Sequence, residues 1–198
     1  MPWLFESWYM DVPIVTRLFI TGAVATSVAV QCNWVTPFQL FFSWHSVIIR
    51  VIEGLQYWRL VTTFLYFGNL SFDFLFHIFF IARYCRMLEE TSFRGRSWEF
   101  ACLLLYATTS LLILSPLVSL TFLASPLSFC LIYLWSRRNP SVRLSFLGLF
   151  VFNAPYLPWI LLWFSFILHN TIPKGDLLGM FVGHIYYYLK DVMPTISS

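Results

Sequence analysis

Long apolar segments alternate with short polar ones along almost the whole chain. They cover residues 15–32, 70–88, 99–117, 121–136, 151–169 and 176–190. A helix needs about 20 mostly apolar residues to cross the hydrocarbon core of a bilayer. The pattern therefore predicts an all-α membrane protein with six transmembrane helices, forming one domain over residues 1–198. Five spans remain an alternative, because Pro and Ser interrupt 115–126, where the third segment meets the fourth.

Composition supports the membrane class independently of this pattern. Hydrophobic residues make up 59% of the chain, charged residues 11%, and the mean hydropathy is +0.74. So few polar residues cannot cover the surface of a soluble domain of this size. Six spans would also use most of the 198 residues, which leaves no room for a separate soluble domain.

The basic residues predict the orientation. Cytosolic loops carry an excess of Lys and Arg. With six spans, nine basic residues fall on one side of the membrane, namely Arg17, Arg83, Arg86, Arg94, Arg96, Arg137, Arg138, Arg143 and Lys190. Both termini are then cytosolic, and the loop 33–69 lies on the opposite side. A cleaved signal peptide is a weaker alternative for the first segment, since Glu6, Asp11 and Pro13 precede its apolar run.

The loop 33–69 is rich in aromatic residues and contains only three charges. Such a loop would not stay in water, and Trp and Tyr side chains favour the membrane interface. We therefore expect short amphipathic helices lying in the interface. Within them, Trp58 would anchor the loop in the headgroup layer, and the guanidinium of Arg59 would either bind loop carbonyls or extend toward the headgroups.

Ionisable residues within predicted spans are candidates for function by default. Asp73 and His77 lie in the second segment, and Asp176 and His184 in the sixth. The plainer interpretation is that each forms a hydrogen bond to a neighbouring helix. We expect His184 to be a buried structural or gating residue. No metal site is expected, because the four cysteines show neither CxxC spacing nor a cluster with histidines.

Gly179 and Gly183 are four residues apart in the sixth segment. Glycines at this spacing lie on one helix face and allow a second helix backbone to come close. Glycine also lowers helix stability. The pair therefore predicts a close helix contact, and we expect a bulky side chain at either position to push the bundle apart.

Five short motifs, in this order along the chain, resemble the derlin family of rhomboid-like proteins. They are Val12–Arg17, Trp58-Arg59, Leu88-Glu89 with Phe93–Arg96, Tyr156–Trp159, and Gly183–Tyr187. The resemblance covers nearly the whole chain. It implies a rhomboid-like six-helix bundle in the membrane of the endoplasmic reticulum.

The resemblance also implies that the chain is not an enzyme. Active rhomboids carry a Gly-x-Ser-Gly turn at the start of the fourth helix, and this sequence contains none. The fourth segment begins Ala124-Ser125-Pro126-Leu127-Ser128 instead. In active rhomboids the basic histidine lies three residues before the first glycine of the glycine pair, where this chain has Asp176. His184 lies about 12 Å further along the helix, too far away to replace that base.

The function implied by the resemblance is degradation of misfolded proteins from the endoplasmic reticulum. The expected partners are misfolded substrates, a membrane ubiquitin-ligase complex, and a homo- or hetero-oligomer with other derlins; no cofactor and no nucleic acid are expected. We expect the cytosolic AAA ATPase to be reached indirectly, because residues 190–198 after the last segment contain no arginine motif. The alternatives are an active protease using Ser125 or Ser128, and a small-solute channel or transporter, although we find no internal repeat.

Overall fold

The computed structural model describes residues 9–40, 58–146, 148 and 150–197. In this part of the chain each predicted apolar segment contains one long helix. The six are α1 (Ile14–Gln31), α2 (Phe72–Met87), α3 (Ser97–Val118), α4 (Ala124–Arg138), α5 (Leu157–His169) and α6 (Lys174–Tyr187). A π-helical turn, Leu88–Ser92, continues α2. A second one, Tyr188–Val192, leads from α6 into the helical turn Met193–Ser197.

Only two of these helices have both the length and the hydropathy of a membrane span. They are α1, with 18 residues, and α3, with 22 residues. The other four have 13 to 16 residues. The length and hydropathy of α1 and α3 thus agree with the membrane class, while the count of six spans stays a prediction.

A short β-hairpin shows that the purely helical expectation is wrong in one place. Strands β1 (Arg143–Phe146) and β2 (Phe150–Asn153) pair antiparallel, with Arg143 opposite Asn153. The fifth segment was expected to be helical from residue 151, but α5 begins at Leu157 after the 3₁₀ turn Ala154–Tyr156. Two local effects explain the late start: Pro155 disfavours helical geometry in the residue before it, and aromatic and β-branched residues favour strands.

Helix α4 lies at the centre of the bundle. Ala124 and every residue from 126 to 136 are buried, and α2, α3, α5 and α6 all pack against it. Most of the buried side chains are apolar, as expected for a helix surrounded by others. The residues at either end of α4 are therefore well placed to connect several helices.

The outward faces of α1 and α3 are apolar. On α1, Ile14 and Leu18 are exposed while Thr16, Ala23 and Ser27 are buried. On α3, large aliphatic side chains such as Leu105 and Leu117 are exposed. A helix on the surface of a water-soluble protein has its polar face outward, so this arrangement fits a lipid environment.

Candidate functional site

Gly179 and Gly183 lie where α6 crosses α4. A Cβ atom added to Gly179 would come within 2.0 Å of the carbonyl oxygen of Pro126, and one added to Gly183 within 2.9 Å of that of Cys130. Both distances are shorter than any normal contact, so only glycine allows the two backbones to approach this closely.

Asp176, one turn before Gly179, connects three helices through hydrogen bonds. Its side chain is only 5% exposed. The hydroxyl of Ser125 on α4 donates to Oδ1 at 2.5 Å, and the hydroxyl of Ser165 on α5 donates to Oδ2 at 3.0 Å. The carboxylate of Asp176 thus bridges α4 and α5 to α6.

Asp73 lies beside this bridge, between two histidines. Its carboxylate oxygens are 3.6 Å from Nε2 of His77 on α2 and 3.6 Å from Nε2 of His169 on α5. These distances exceed a direct hydrogen bond. Asp73 and His77 line the same cavity as Ser165, which binds Asp176. We call the set Asp73, His77, Ser125, Ser165, His169 and Asp176 the polar cluster.

The sequence pointed to four of these six residues, and missed Ser165 and His169. Their spacing of four residues placed them on one face near the end of the fifth segment, which was a usable signal. His169 ends α5 and its Nδ1 lies 3.0 Å from the carbonyl oxygen of Ser165. The structure therefore brings α5 together with candidate residues that the sequence had indicated separately on the second, fourth and sixth segments.

A narrow cleft between α2, α4 and α5 extends from the polar cluster into the bundle. It is lined by Asp73, His77, Ser128 and Ser165 together with aromatic and aliphatic side chains, and its volume is about 10 Å³. A space of that size is at the lower limit for one water molecule. The rings of Phe76 on α2 and Phe164 on α5 close it, with their centroids 4.7 Å apart. We call this ring contact the aromatic seam.

Trp58 and Arg59 lie apart from the polar cluster. Trp58 is 54% exposed and Arg59 only 8% exposed, at the start of the helical turn Arg59–Thr62. Just after them, the carbonyl oxygen of Thr63 accepts from the amide of Leu123 at 3.0 Å. This segment is therefore attached to the connection between α3 and α4. Amphipathic helices were predicted for the loop 33–69, of which residues 41–57 lie outside the described residues. The described part of the loop contains the short helical turns Pro37–Leu40 and Arg59–Thr62.

The expectation that His184 is buried is wrong. Its side chain is exposed on α6, and its Nδ1 lies 2.7 Å from the hydroxyl of Tyr133 on α4. The Tyr133 hydroxyl also accepts from Nε of Arg137 at 3.1 Å. Gly183 contacts α4, but the next residue on a helix is rotated by about 100°, so His184 lies to one side of this contact.

Two of the sequence motifs contact each other at the opposite end of the bundle. The amide and hydroxyl of Thr16, at the start of α1, donate to the carboxylate of Glu89 at 3.1 and 2.7 Å. Glu89 lies in the π-helical turn after α2 and is 4% exposed. The first amides of a helix have no partner within it, so Glu89 caps α1 from a different helix.

The chemical capacity of the polar cluster is limited. Its cleft holds about one water, and both oxygens of Asp176 already accept from serine hydroxyls. No group of three or more potential metal ligands occurs in the described part of the chain. The arrangement is suited to binding helices together and to placing charged groups close to a closed seam.

Comparisons with known proteins agree with the motifs. A family model described as the Der1-like family matches residues 12–198. The chain is 45% identical over 204 residues to Derlin-2.1 of Zea mays, covering 98% of this chain and 80% of that protein. It is 42% identical to Derlin-2.2 of Arabidopsis thaliana (98% and 82% covered), and 41% identical to a probable derlin-2 homolog of Dictyostelium discoideum (98% and 77% covered).

Proposed function

The chain belongs to the Der1-like family of derlins, and on that premise we propose that it is a non-enzymatic component of endoplasmic-reticulum-associated degradation. In this role it would help misfolded proteins to cross the membrane toward the cytosol, where ubiquitin and the proteasome act. The observation that carries the proposal is the family match over residues 12–198, which includes all five motifs. We propose the endoplasmic reticulum membrane as its location, with both termini cytosolic, an orientation supported by the distribution of basic residues.

The helix lengths support a physical mechanism. α5 has 13 residues and α4 has 15, so they are about 20 and 22 Å long. The hydrocarbon core of a bilayer is about 30 Å thick. Helices that are too short to span it thin the surrounding lipid. A thinner bilayer lowers the barrier to a polar polypeptide.

The aromatic seam supports a route for the substrate. α2 and α5 meet mainly through side chains, with Phe76 against Phe164. Behind the rings lie Asp73, His77 and Ser165. Separation of α2 from α5 would expose these polar groups to a substrate segment entering sideways from the lipid. The seam is thus the proposed entry site.

Such a role requires other proteins. We propose that a membrane ubiquitin-ligase complex delivers and modifies the substrate and that a cytosolic AAA ATPase, reached through a partner, supplies the pulling force. Association with further derlin copies would enlarge the thinned area. Affinity purification from native membranes tests these partners, and recovery of the chain without any ligase subunit would contradict the proposal.

Clearance of a misfolded luminal reporter tests the function itself. In cells lacking the protein, wild type should restore reporter degradation, whereas Arg59→Ala and Gly179→Val should restore it poorly at equal protein levels. Arg59 is buried in the segment attached to the α3–α4 connection, and Gly179 permits the α4–α6 contact. Arg143→Ala, a change at an exposed arginine outside the five motifs, is the matched control. Degradation at the wild-type rate in both test variants would refute the proposed role of these motifs.

One contact favours the alternative of a serine protease. The Ser125 hydroxyl donates to Asp176 at 2.5 Å, as a nucleophile would to a base. The second serine, Ser165, binds the same carboxylate, which fits a structural bridge better than a base that must accept and release a proton. Labelling of Ser125 by a fluorophosphonate, with loss of labelling in Asp176→Asn, would favour the protease function over the structural bridge.

A further inference from the structure

An open groove runs along the outer surface of the bundle between α1 and α2. Its volume is about 610 Å³. Val12 and Ile20 form the α1 side, and Leu75, Ile78 and Phe79 lie along α2. Leu75 is 63% exposed and Phe79 59% exposed. The groove is therefore apolar along most of its length and faces away from the polar cluster.

Charged side chains lie at only one end of the groove. Arg83, Arg86 and Glu90 line it there, where α2 passes into its π-helical turn. Arg86 is paired with Glu90, with 2.7 Å between Nε and Oε1. Arg83 is exposed and makes no hydrogen bond or ion pair with any residue in the described part of the chain. One arginine is thus available at the mouth of an apolar groove, and the three charges sum to +1.

The dimensions match one lipid leaflet. Leu75 and Arg83 are eight residues apart on α2, a rise of about 12 Å. Half of the hydrocarbon core is about 15 Å. An acyl chain beside Leu75 and Phe79 would therefore place its phosphate at the depth of the Arg83 guanidinium, which extends toward the interface.

We propose that this groove binds one anionic phospholipid, with an acyl chain between α1 and α2 and the phosphate held by Arg83. The guanidinium fork matches the geometry of a phosphate group. The net positive charge of the mouth favours an anionic lipid over a zwitterionic one. By the distribution of basic residues this end of α2 faces the cytosol, whose leaflet contains the anionic lipids. The proposal does not depend on the proposed role in degradation.

Native mass spectrometry of the purified protein tests the site with phosphatidylserine and phosphatidylcholine as probes. Wild type should retain one phosphatidylserine at concentrations where phosphatidylcholine is lost. Arg83→Gln should lower the affinity for phosphatidylserine about fivefold, the effect expected for one basic residue at an anionic surface. Ala82→Phe, which fills the groove from α2, should lower the binding of both lipids.

Two controls make the outcome decisive. Arg94→Gln removes an exposed arginine outside the groove and should leave binding unchanged. Wild-type affinity for phosphatidylserine in Arg83→Gln, or unchanged lipid retention in Ala82→Phe, would overturn the proposal. A photoreactive residue in place of Phe79 should crosslink to lipid in native membranes. Crosslinking to a protein helix instead would show that the groove is a protein interface and would equally overturn it.

Discussion

Among the glycines in the described part of the chain, Gly179 has the least room for added atoms. In Gly179→Ala the new Cβ would lie 2.0 Å from the Pro126 carbonyl oxygen, and because this is backbone, α4 and α6 must separate. Overpacking of this kind costs about 1–3 kcal/mol or more. We expect a clearly lower unfolding temperature for the purified variant in detergent.

The other glycines of α6 provide graded controls. Gly183→Ala meets the Cys130 carbonyl oxygen at 2.9 Å, whereas Gly175→Ala meets a side-chain carbon of Pro126 at 3.1 Å. The loss of stability should therefore decrease from Gly179 to Gly183 to Gly175. Equal unfolding temperatures for the Gly179 and Gly175 variants would contradict the packing argument.

Asp176 should be energetically coupled to its two serines. Hydrogen bonds to charged groups contribute about 1.5–3 kcal/mol, more than the average of about 0.6 kcal/mol between membrane helices. A double-mutant cycle of Ser125→Ala with Asp176→Ala should give a coupling of about 1–2 kcal/mol in the free energy of unfolding. Ser128 is the matched control, because its hydroxyl donates to the Ala124 carbonyl in its own helix. A cycle with Ser128→Ala should be additive, and equal couplings for both serines would exclude the proposed bridge.

At this scale the sequence indicated candidate residues but not their contacts. Asp73, His77 and Asp176 were found because ionisable groups are rare in apolar segments. Ser165 was missed because a serine in an apolar helix is common, although its spacing of four residues from His169 was a signal in the sequence. His184 was misjudged because its exposure depends on the rotation of α6 against α4, which a single sequence does not specify.

Among the helices, the position of α1 depends on Glu89. In Glu89→Ala the amide and hydroxyl of Thr16 lose their buried acceptor, at a cost of about 1–3 kcal/mol. We expect faster hydrogen exchange in the first turn of α1, which begins at Ile14. Exchange in the other helices should be unchanged.

The neighbouring glutamate is a control with the same chemistry. Glu90 is exposed and pairs with Arg86 four residues earlier, a pair worth about 0.3–0.5 kcal/mol. Glu90→Ala should leave exchange in α1 unchanged. If the first turn of α1 shows the same hydrogen exchange in the Glu89→Ala and Glu90→Ala variants, Glu89 does not cap α1.

The elements themselves could be predicted to within a few residues, apart from the start of α5. The lengths of the apolar segments located each of the six long helices. For example, α3 and α4 begin within three residues of their predicted first residues. The hairpin escaped prediction because its strand Phe150–Asn153 is as apolar as a helix end. Only its pairing with Arg143–Phe146 distinguishes this strand from the end of a helix.

At the scale of the whole molecule, the proposed activity would arise from the difference between the lengths of the helices and the thickness of the bilayer. Four of the six long helices have 16 residues or fewer, which is below the range of about 17–25 residues for a membrane span. α5 is about 10 Å shorter than the hydrocarbon core. At a fraction of a kcal/mol per Å, this mismatch amounts to a few kcal/mol. The chain should therefore prefer thin membranes.

Partition between thin and thick lipid phases in mixed vesicles measures this preference. We expect the full chain to concentrate in the phase with shorter acyl chains. A single-span peptide corresponding to α3, Ser97–Val118, is the control; its 22 residues extend about 33 Å, so it should favour the thicker phase. If the full chain partitioned as the α3 peptide does, the short helices would not thin the bilayer. The proposed mechanism of polypeptide passage would then lose its physical basis.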